Sequence, residues 1–402
     1  MSVRFLHTGD LHLGMRITRF DESACNRIIE ARFEAAENLR AKARELEVDF
    51  VLVAGDLFDD HTVSRNIAER AFSLFEATRC PVYIIPGNHD PLIPGGVLDR
   101  APWEGAQPAK NIHVLRIRAP MPIDNATLFP CPLRHRHSLE DPTAWIASHP
   151  RSPGEVRIGL AHGSLDLPHI PLPRDDHIIR LDAADRLQLD YLALGHWHKP
   201  MIRRSPDGIE RVAYCGTHEP MRFPNAKAST STGWAPYSSD GDADRFQDEN
   251  RGTALLVNID AGRPTVETVE VGRLRWQVEE RDLTVRSVRE LVAEYGDRDQ
   301  RALTLLRLHL TGVVDAESLV QIDRTLSDII CNRYARGSSL VTNDLIVEPA
   351  PDQLSAIAGD GVLSRMLSRL KADQGSNDPA TRHITEHALK LLYRLAWEEH
   401  TP

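Results

Sequence analysis

The chain has 402 residues, enough for two or three domains with a sizeable buried core. Its 41% hydrophobic and 26% charged residues are those of an ordinary soluble globular protein, and a net charge of −10 excludes a uniformly basic protein that coats nucleic acid, though not a local basic groove. Cys25, Cys80, Cys131, Cys215 and Cys331 are scattered without Cys-x-x-Cys spacing, which favours reduced thiols over a disulfide framework or a zinc ribbon.

The first strand is predicted over residues 3–8, with no signal-peptide apolar region before it and no stretch long enough to span a bilayer. A soluble, cytoplasmic protein without membrane contact is therefore expected. Apolar residues recur at helical spacing from Asp21 to Glu47, with Asp21 or Ser23 as cap. A second strand (Asp49 to Ala54), a helix (Ser64 to Thr78) and a third strand (Val82 to Ile85) continue an alternation that points to parallel β-α-β units. Pro and Gly thicken between Pro91 and Pro108, which reads as loop or short helix. Strands at Ile112 to Leu115 and Ala126 to Cys131 and a short helix at Asp141 to His149 follow. Two more strands end at His162 and His196, and Ile202 to Arg204 with Glu210 to Cys215 reads as a hairpin around Pro206-Asp207-Gly208. Thr217 to Arg251 shows no period and is expected to be a long, partly disordered loop. A hairpin at Thr253 to Asp260 and Thr265 to Val271 closes the first domain. Strand, helix, strand, helix, strand then spans Arg275 to Val347, a small α+β unit with few ligand-type residues. After a linker at Gln374 to Asp378, Ile384, Ala388, Leu391, Leu392, Leu395 and Ala396 form the apolar stripe of a last helix.

Five of these strands end in polar residues. Asp10 and His12 follow the first, Asp56 the second, and Asn88, His89 and Asp90 the third; His162 and the pair His196 and His198 end the later two. Open α/β sheets place ligands beyond such strand ends, so a single site is expected. Its mixed oxygen and nitrogen donors suit Mn²⁺, Fe²⁺ or Zn²⁺ better than Ca²⁺. They are too many for one ion but suit two that share a bridging carboxylate, about 3.5–4 Å apart, as in-line displacement at phosphorus uses. Neither Gly-x-Ser-x-Gly nor a Gly-x-x-x-x-Gly-Lys loop competes.

Asp10-x-His12, Gly55-Asp56, Gly87-Asn88-His89-Asp90, His162 and Gly195-His196-x-His198 resemble the five motifs of calcineurin-like metallophosphoesterases. Gly55-Asp56-Leu57-Phe58-Asp59, Ser64 and Tyr214-Cys215-Gly216 are similar to the SbcD-type DNA repair exonucleases within that superfamily. The resemblance implies a four-layer α/β/β/α metallophosphoesterase sandwich over residues 1–272, a DNA-contacting α+β cap over 273–350, and a helical tail over 351–402. It implies that Asp10, His12, Asp56 and His198 hold one metal and that Asp56, Asn88, His162 and His196 hold the other. Mn²⁺ is the expected ion, with Fe²⁺, Zn²⁺ or Mg²⁺ as alternatives. His89 would not ligate but would act beside the scissile phosphate, with Asp90 orienting it. Asp59 stands where relatives often carry His, which leaves open the balance of exonuclease against endonuclease cutting. The implied function is a metal-dependent DNA nuclease in end processing or repair, partnered by an SbcC-like ABC/SMC-type ATPase that the tail would dock, with a homodimer as a further expectation.

Other residues carry two readings. Arg134-His135-Arg136-His137 is either a phosphate-contacting patch or a solvated turn after Pro132, and Arg203 and Arg204 pose the same choice. His7, His61, His169, His177 and His218 read as surface or packing residues. The alternatives to a DNA nuclease are a phosphodiesterase for cyclic nucleotides or other small molecules, and a scaffold subunit for the ATPase.

Overall fold

The computed structural model describes residues 2–100, 110–168, 170–205, 207–224, 244–246, 251–347, 362–373 and 378, 381, 384, 385, 388, 389 and 391. The chain divides into two compact units, Met1–Arg275 and Trp276–Pro402.

The first unit opens with β1 (Ser2–Thr8), α1 (Glu22–Glu45), β2 (Phe50–Val53), α2 (Arg65–Glu76), β3 (Val82–Ile84), α3 (Val97–Arg100) and β4 (Ile112–Val114). Both long helices start where the sequence puts a capping side chain. Asp21 accepts from the Ala24 N–H at 2.9 Å and Ser64 from that of Ile67 at 3.5 Å. Then follow β5 (Met121–Ile123), β6 (Ala126–Pro130), β7 (Arg157–His162), α4 (Ala183–Arg186), β8 (Tyr191–Gly195), β9 (Met201–Arg203), β10 (Val212–Tyr214), β11 (Asp244–Phe246), β12 (Thr253–Asp260) and β13 (Arg263–Glu270). The short helix expected near residue 145 is a single 3₁₀ turn, Ala144–Ser148, and β5 carries too brief an apolar run to be read from sequence.

One sheet has the order β13-β12-β1-β2-β3-β4, the other β11-β9-β10-β8-β7-β6-β5. They pack face to face. Val3, Phe5, Phe50, Leu52 and Leu255 of the first meet Leu128, Ile158, Leu160, Tyr191 and Ala213 of the second in one buried core. The outer face of the first sheet is covered by Phe33, Ala36 and Leu39 of α1 and Ala71 and Phe75 of α2. Ile146, Ala183, Ala184 and Leu187 cover the second. The result is the four-layer α/β/β/α sandwich. β1, β2 and β3 run parallel, as do β7 and β8, so their C-terminal ends lie on one rim.

The long-loop expectation for 217–251 falls largely on residues outside those described. Within it, Thr217, His218 and Glu219 lie outside helix and strand, as expected, but are buried, and β11 pairs with β9.

The second unit is built on β14 (Arg275–Asp282), α5 (Val288–Asp297), β15 (Thr304–Val314), α6 (Ala316–Gln321) and β16 (Ser339–Val347), with α6 continuing through π-type turns to Arg333. Ser287 and Glu290 cap α5 reciprocally. Leu291, Tyr295, Leu306, Leu308, Ile322, Leu326 and Ile330 form its core. A further helix, α7 (Val362–Asp373), lies in the tail. The expected last helix falls mostly outside the described residues; of its stripe, Ile384 and Leu391 are exposed and Ala388 is half-buried. No helix among the described residues is long and apolar enough to cross a membrane.

Candidate metal centre

The loops that leave the rim are tied to one another by backbone bonds. Asp10 N–H donates to the Gly55 carbonyl at 3.1 Å and His12 N–H to that of Asp56 at 3.0 Å, so the loops after β1 and β2 run side by side. Asp10, His12, Asp56 and His196 all have positive φ (51°, 45°, 50° and 106°), a conformation costly for residues with a Cβ. Four such residues at one rim mark a site where side-chain direction outweighs backbone comfort. Glycines make the crowding feasible: a Cβ on Gly87 would run into Asp56 Oδ1, and one on Gly195 into the Ala54 carbonyl oxygen.

Two groups of donors result. His12 Nδ1 lies 3.1 Å from Asp59 Oδ1 and donates to it, so Nε2 presents its lone pair to His198 Nε2 at 3.2 Å. Asp56 Oδ2 is 3.8 Å from that His12 nitrogen, and Asp10 Oδ1 is 3.9 Å from that of His198. In the second group His162 Nδ1 donates to the Ala54 carbonyl at 2.8 Å. Its Nε2 therefore faces Asn88 Oδ1 at 2.7 Å and Asp56 Oδ2 at 3.3 Å. His196 Nδ1 reaches the same Asn88 oxygen at 3.1 Å. Asp56 belongs to both groups. Its Oδ1 meanwhile accepts from the His89 N–H at 2.8 Å, and both Asp10 oxygens accept from the His196 N–H.

Acceptor thus faces acceptor at the centre of each group, which is unfavourable unless a proton or a cation lies between. The donor set fits divalent ions on that ground. The protonation pattern agrees. Burial would raise Asp56, but His162, His12 and His89 outweigh it and hold its carboxyl well below the usual range. Burial opposes the His162 imidazolium, yet Asp56 and Asp10 carry it up to about 9. Asp10 is pushed up to about 7, chiefly by burial. His12 and His198 are lowered by burial and stay neutral, ready to coordinate.

His89 sits at the edge of this cluster, 30% exposed, its ring edge-on to His12 with centroids 4.7 Å apart. One of its ring nitrogens also falls within reach of the donor atoms of His12 and Asp56. Asp90 does not orient it. That carboxylate is buried and accepts from the Gly87 N–H at 2.8 Å and the Phe58 N–H at 3.0 Å, while His89 Nδ1 donates to the Asp59 carbonyl at 2.9 Å. Asp59, which the resemblance makes a candidate for substrate contact, positions two histidines: its carboxylate holds His12 and its carbonyl holds His89. Arg203 and Arg204 are not brought to the cluster, because β9 runs antiparallel to β8 and β10 and carries them away from the rim; Arg204 pairs with Glu210 at 3.4 Å. Arg134 and Arg136 lie on an exposed segment beside it, with Leu133 bonded to the Pro86 and Leu92 backbone.

Three positions escaped sequence reasoning. Asp176 Oδ1 lies 3.2 Å from His196 Nε2, and its Oδ2 accepts from Ser164 Oγ at 2.5 Å. Arg32 is buried in α1 and donates to the Leu11 carbonyl between Asp10 and His12. Thr217 Oγ1 caps the Asp10 carbonyl at 2.9 Å. The acidic pair before His177 was a local signal for the first; a lone Arg on an apolar helix face was the signal for the second.

Residues 3–200 match the calcineurin-like phosphoesterase family, and the chain carries a calcineurin-like metallophosphoesterase domain over that span. That family is one of metal-dependent hydrolases. The chain is 29% identical over 218 residues to the metallophosphoesterase YhaO of Bacillus subtilis (49% of each chain). It is 27% identical to the DNA double-strand break repair protein Mre11 of Methanocaldococcus jannaschii, over 54% of this chain and 56% of that one. It is 26% identical to the DNA double-strand break repair protein Mre11 of Archaeoglobus fulgidus, over 80% of this chain and 71% of that one. The matched stretch thus spans only about half the length of the first two relatives.

Proposed function

We propose that this chain is a dimetal-dependent DNA nuclease that hydrolyses phosphodiester bonds in end processing or repair, cutting as an exonuclease with some endonuclease activity. The observation that carries the reading is the pair of lone-pair groups sharing Asp56, with a partly exposed His89 at their edge. Asp10, His12, Asp56 and His198 would hold one ion, and Asp56, Asn88, His162 and His196 the other, with Mn²⁺ favoured by the mixed donors. Bound there, divalent ions supply charge neutralisation at phosphorus and a water of lowered pKa. The chain's own part is to aim the donors and to present His89. With Nδ1 held by the Asp59 carbonyl, the His89 Nε2 is the free position that gives a proton to the leaving oxygen or stabilises charge beside it. Similarity to two archaeal Mre11 proteins supports DNA as the substrate. By the same resemblance the second unit contacts DNA and the tail docks an SbcC-like ABC/SMC-type ATPase, with a homodimer as the assembly. Five free cysteines suit a cytoplasmic setting.

The net charge of −10 favours a second reading, a phosphodiesterase for cyclic nucleotides or similar small molecules. One assay separates them: purified protein with Mn²⁺, end-labelled DNA, a cyclic-nucleotide panel, and His89→Ala as control. The nuclease reading expects DNA to be degraded, and His89→Ala to keep its metal content while turning over about 10²–10⁴-fold more slowly. Inert DNA with efficient cyclic-nucleotide turnover would transfer the chain to the second reading. A His89→Ala variant cutting at the wild-type rate would remove that residue from the mechanism.

A further inference from the structure

A cavity of about 140 Å³ lies beside the metal centre, lined by Arg118, Arg134, His135, Glu140 and His177 among others. Its walls are tied to the site by backbone bonds and by chain adjacency. Leu133, in the lining, donates its N–H to the Pro86 carbonyl at 3.1 Å and accepts from the Leu92 N–H at 2.8 Å, which straps this wall to the loop of Asn88 and His89. On the other side His177 follows directly on Asp176, the residue 3.2 Å from His196. Its Nε2 is 3.2 Å from the Arg136 carbonyl, which closes that wall.

Size and charge narrow what the cavity takes. It is well below the roughly 300–1,000 Å³ of sites that hold drug-sized ligands, so it admits a single tetrahedral anion but not a nucleoside. Two guanidinium groups and two imidazoles face one carboxylate. That carboxylate, Glu140, is 78% exposed and only 3.9 Å from Arg118, so it can swing into solvent when an anion enters. Arg118 Nε is buried without a hydrogen-bond partner, so the ion pair with Glu140 does not satisfy this guanidinium fully.

We infer that this cavity holds a backbone phosphate of the bound nucleic acid, next along the strand from the scissile one, with Arg118 and Arg134 as the principal contacts. This rests on the nuclease reading above. The phosphate gives the strand its register over the metal centre and carries no sequence preference, because backbone contacts position without reading bases.

The test is equilibrium binding of a fluorescent DNA oligonucleotide to the full chain, with the metal centre loaded with Ca²⁺, over a series of salt concentrations. Arg118→Ala/Arg134→Ala should bind about tenfold more weakly, and its log K against log[salt] slope should fall by about one, the signature of one lost phosphate contact. Glu140→Gln removes the competing carboxylate and should bind more tightly than wild type, a change of opposite sign that misfolding cannot mimic. Inorganic phosphate should displace the oligonucleotide weakly, since it lacks the neighbouring phosphates. Wild-type slope in the double variant, or no gain in Glu140→Gln, overturns the subsite while leaving the nuclease intact. A wild-type chain that neither binds nor cuts DNA ends the nuclease reading and this subsite with it. Inorganic phosphate that binds as tightly as the oligonucleotide would assign the cavity to a free anion instead.

Discussion

His196 Nε2 is held from behind by Asp176, while its Nδ1 faces Asn88 Oδ1. Its backbone, at φ 106°, is pulled round by the Asp10 carboxylate, which takes its N–H with both oxygens. The imidazole therefore has one orientation and one tautomer, with the hydrogen on Nε2 and the lone pair on Nδ1. Asp176 acts through His196 and is a positioning residue. Asp176→Ala should weaken Mn²⁺ binding by about 10–100-fold at the ion that His196 serves, while Asp176→Asn, which keeps an acceptor oxygen, should lose much less. Calorimetric titration of both variants measures this, and equal losses would mean that charge rather than orientation is what Asp176 supplies.

At the scale of elements, α1 does more than cover a sheet. Arg32 passes beneath the first ligand loop, with Nε and Nη2 donating to the Leu11 carbonyl at 3.1 and 2.5 Å and Nη1 to the Glu219 carbonyl at 3.1 Å. Burial draws its guanidinium down to about 10, against Glu219, Asp59 and Asp10, so it remains charged at neutral pH. Glu219 continues the link, accepting from the Arg273 and Leu274 N–H groups where the first unit ends. Arg32→Met fills similar volume but leaves the Leu11 carbonyl unpaired, at about 1–3 kcal/mol, and leaves that of Glu219 only the Thr217 hydroxyl as donor. Urea unfolding should show a loss of about 2–4 kcal/mol, and metal affinity should fall because Leu11 lies between Asp10 and His12. Unchanged metal affinity in a destabilised variant would confine Arg32 to stability.

For the whole molecule the decisive joint is between the two sheets, since the ligand groups draw on both. Phe5 of β1 stacks on Phe50 at 5.0 Å and meets Tyr191 of β8 edge-on at 5.7 Å. Next to them His7 crosses the interface, Nδ1 accepting from the Tyr191 hydroxyl at 2.9 Å and Nε2 donating to the Leu194 carbonyl at 3.2 Å. That pattern needs a neutral ring, and burial lowers His7 to about 3 from an ordinary 6.5. The unfolded chain takes up the proton first, so this contribution is complete above pH 6.5 and is lost as pH falls from there towards 3. Between pH 8 and 5.5 the loss from His7 alone is on the order of 1 kcal/mol. Denaturation series at the two pH values should show it, and His7→Gln, which cannot titrate, should flatten the difference. A slope unchanged in His7→Gln would place the acid sensitivity elsewhere.

The sequence by itself determined the strand-helix alternation of the first unit, its capped long helices, and the placement of Asp10, His12, Asp56, Asn88, His162, His196 and His198 at or within four residues of a strand's end, because strand ends are local features. Only the tertiary structure decided how those donors are used. Asp90 turned to the backbone of Gly87 and Phe58, and Asp59 took over His12 and His89, because the loop after β1 runs beside that after β2 and brings residues 47 and 30 positions apart into contact. Arg32, Asp176 and Arg118 were equally hidden, since each owes its surroundings to segments far along the chain. Local patterning carries periodicity and caps; a buried charge or a lone pair acquires its meaning only from what folding places opposite it.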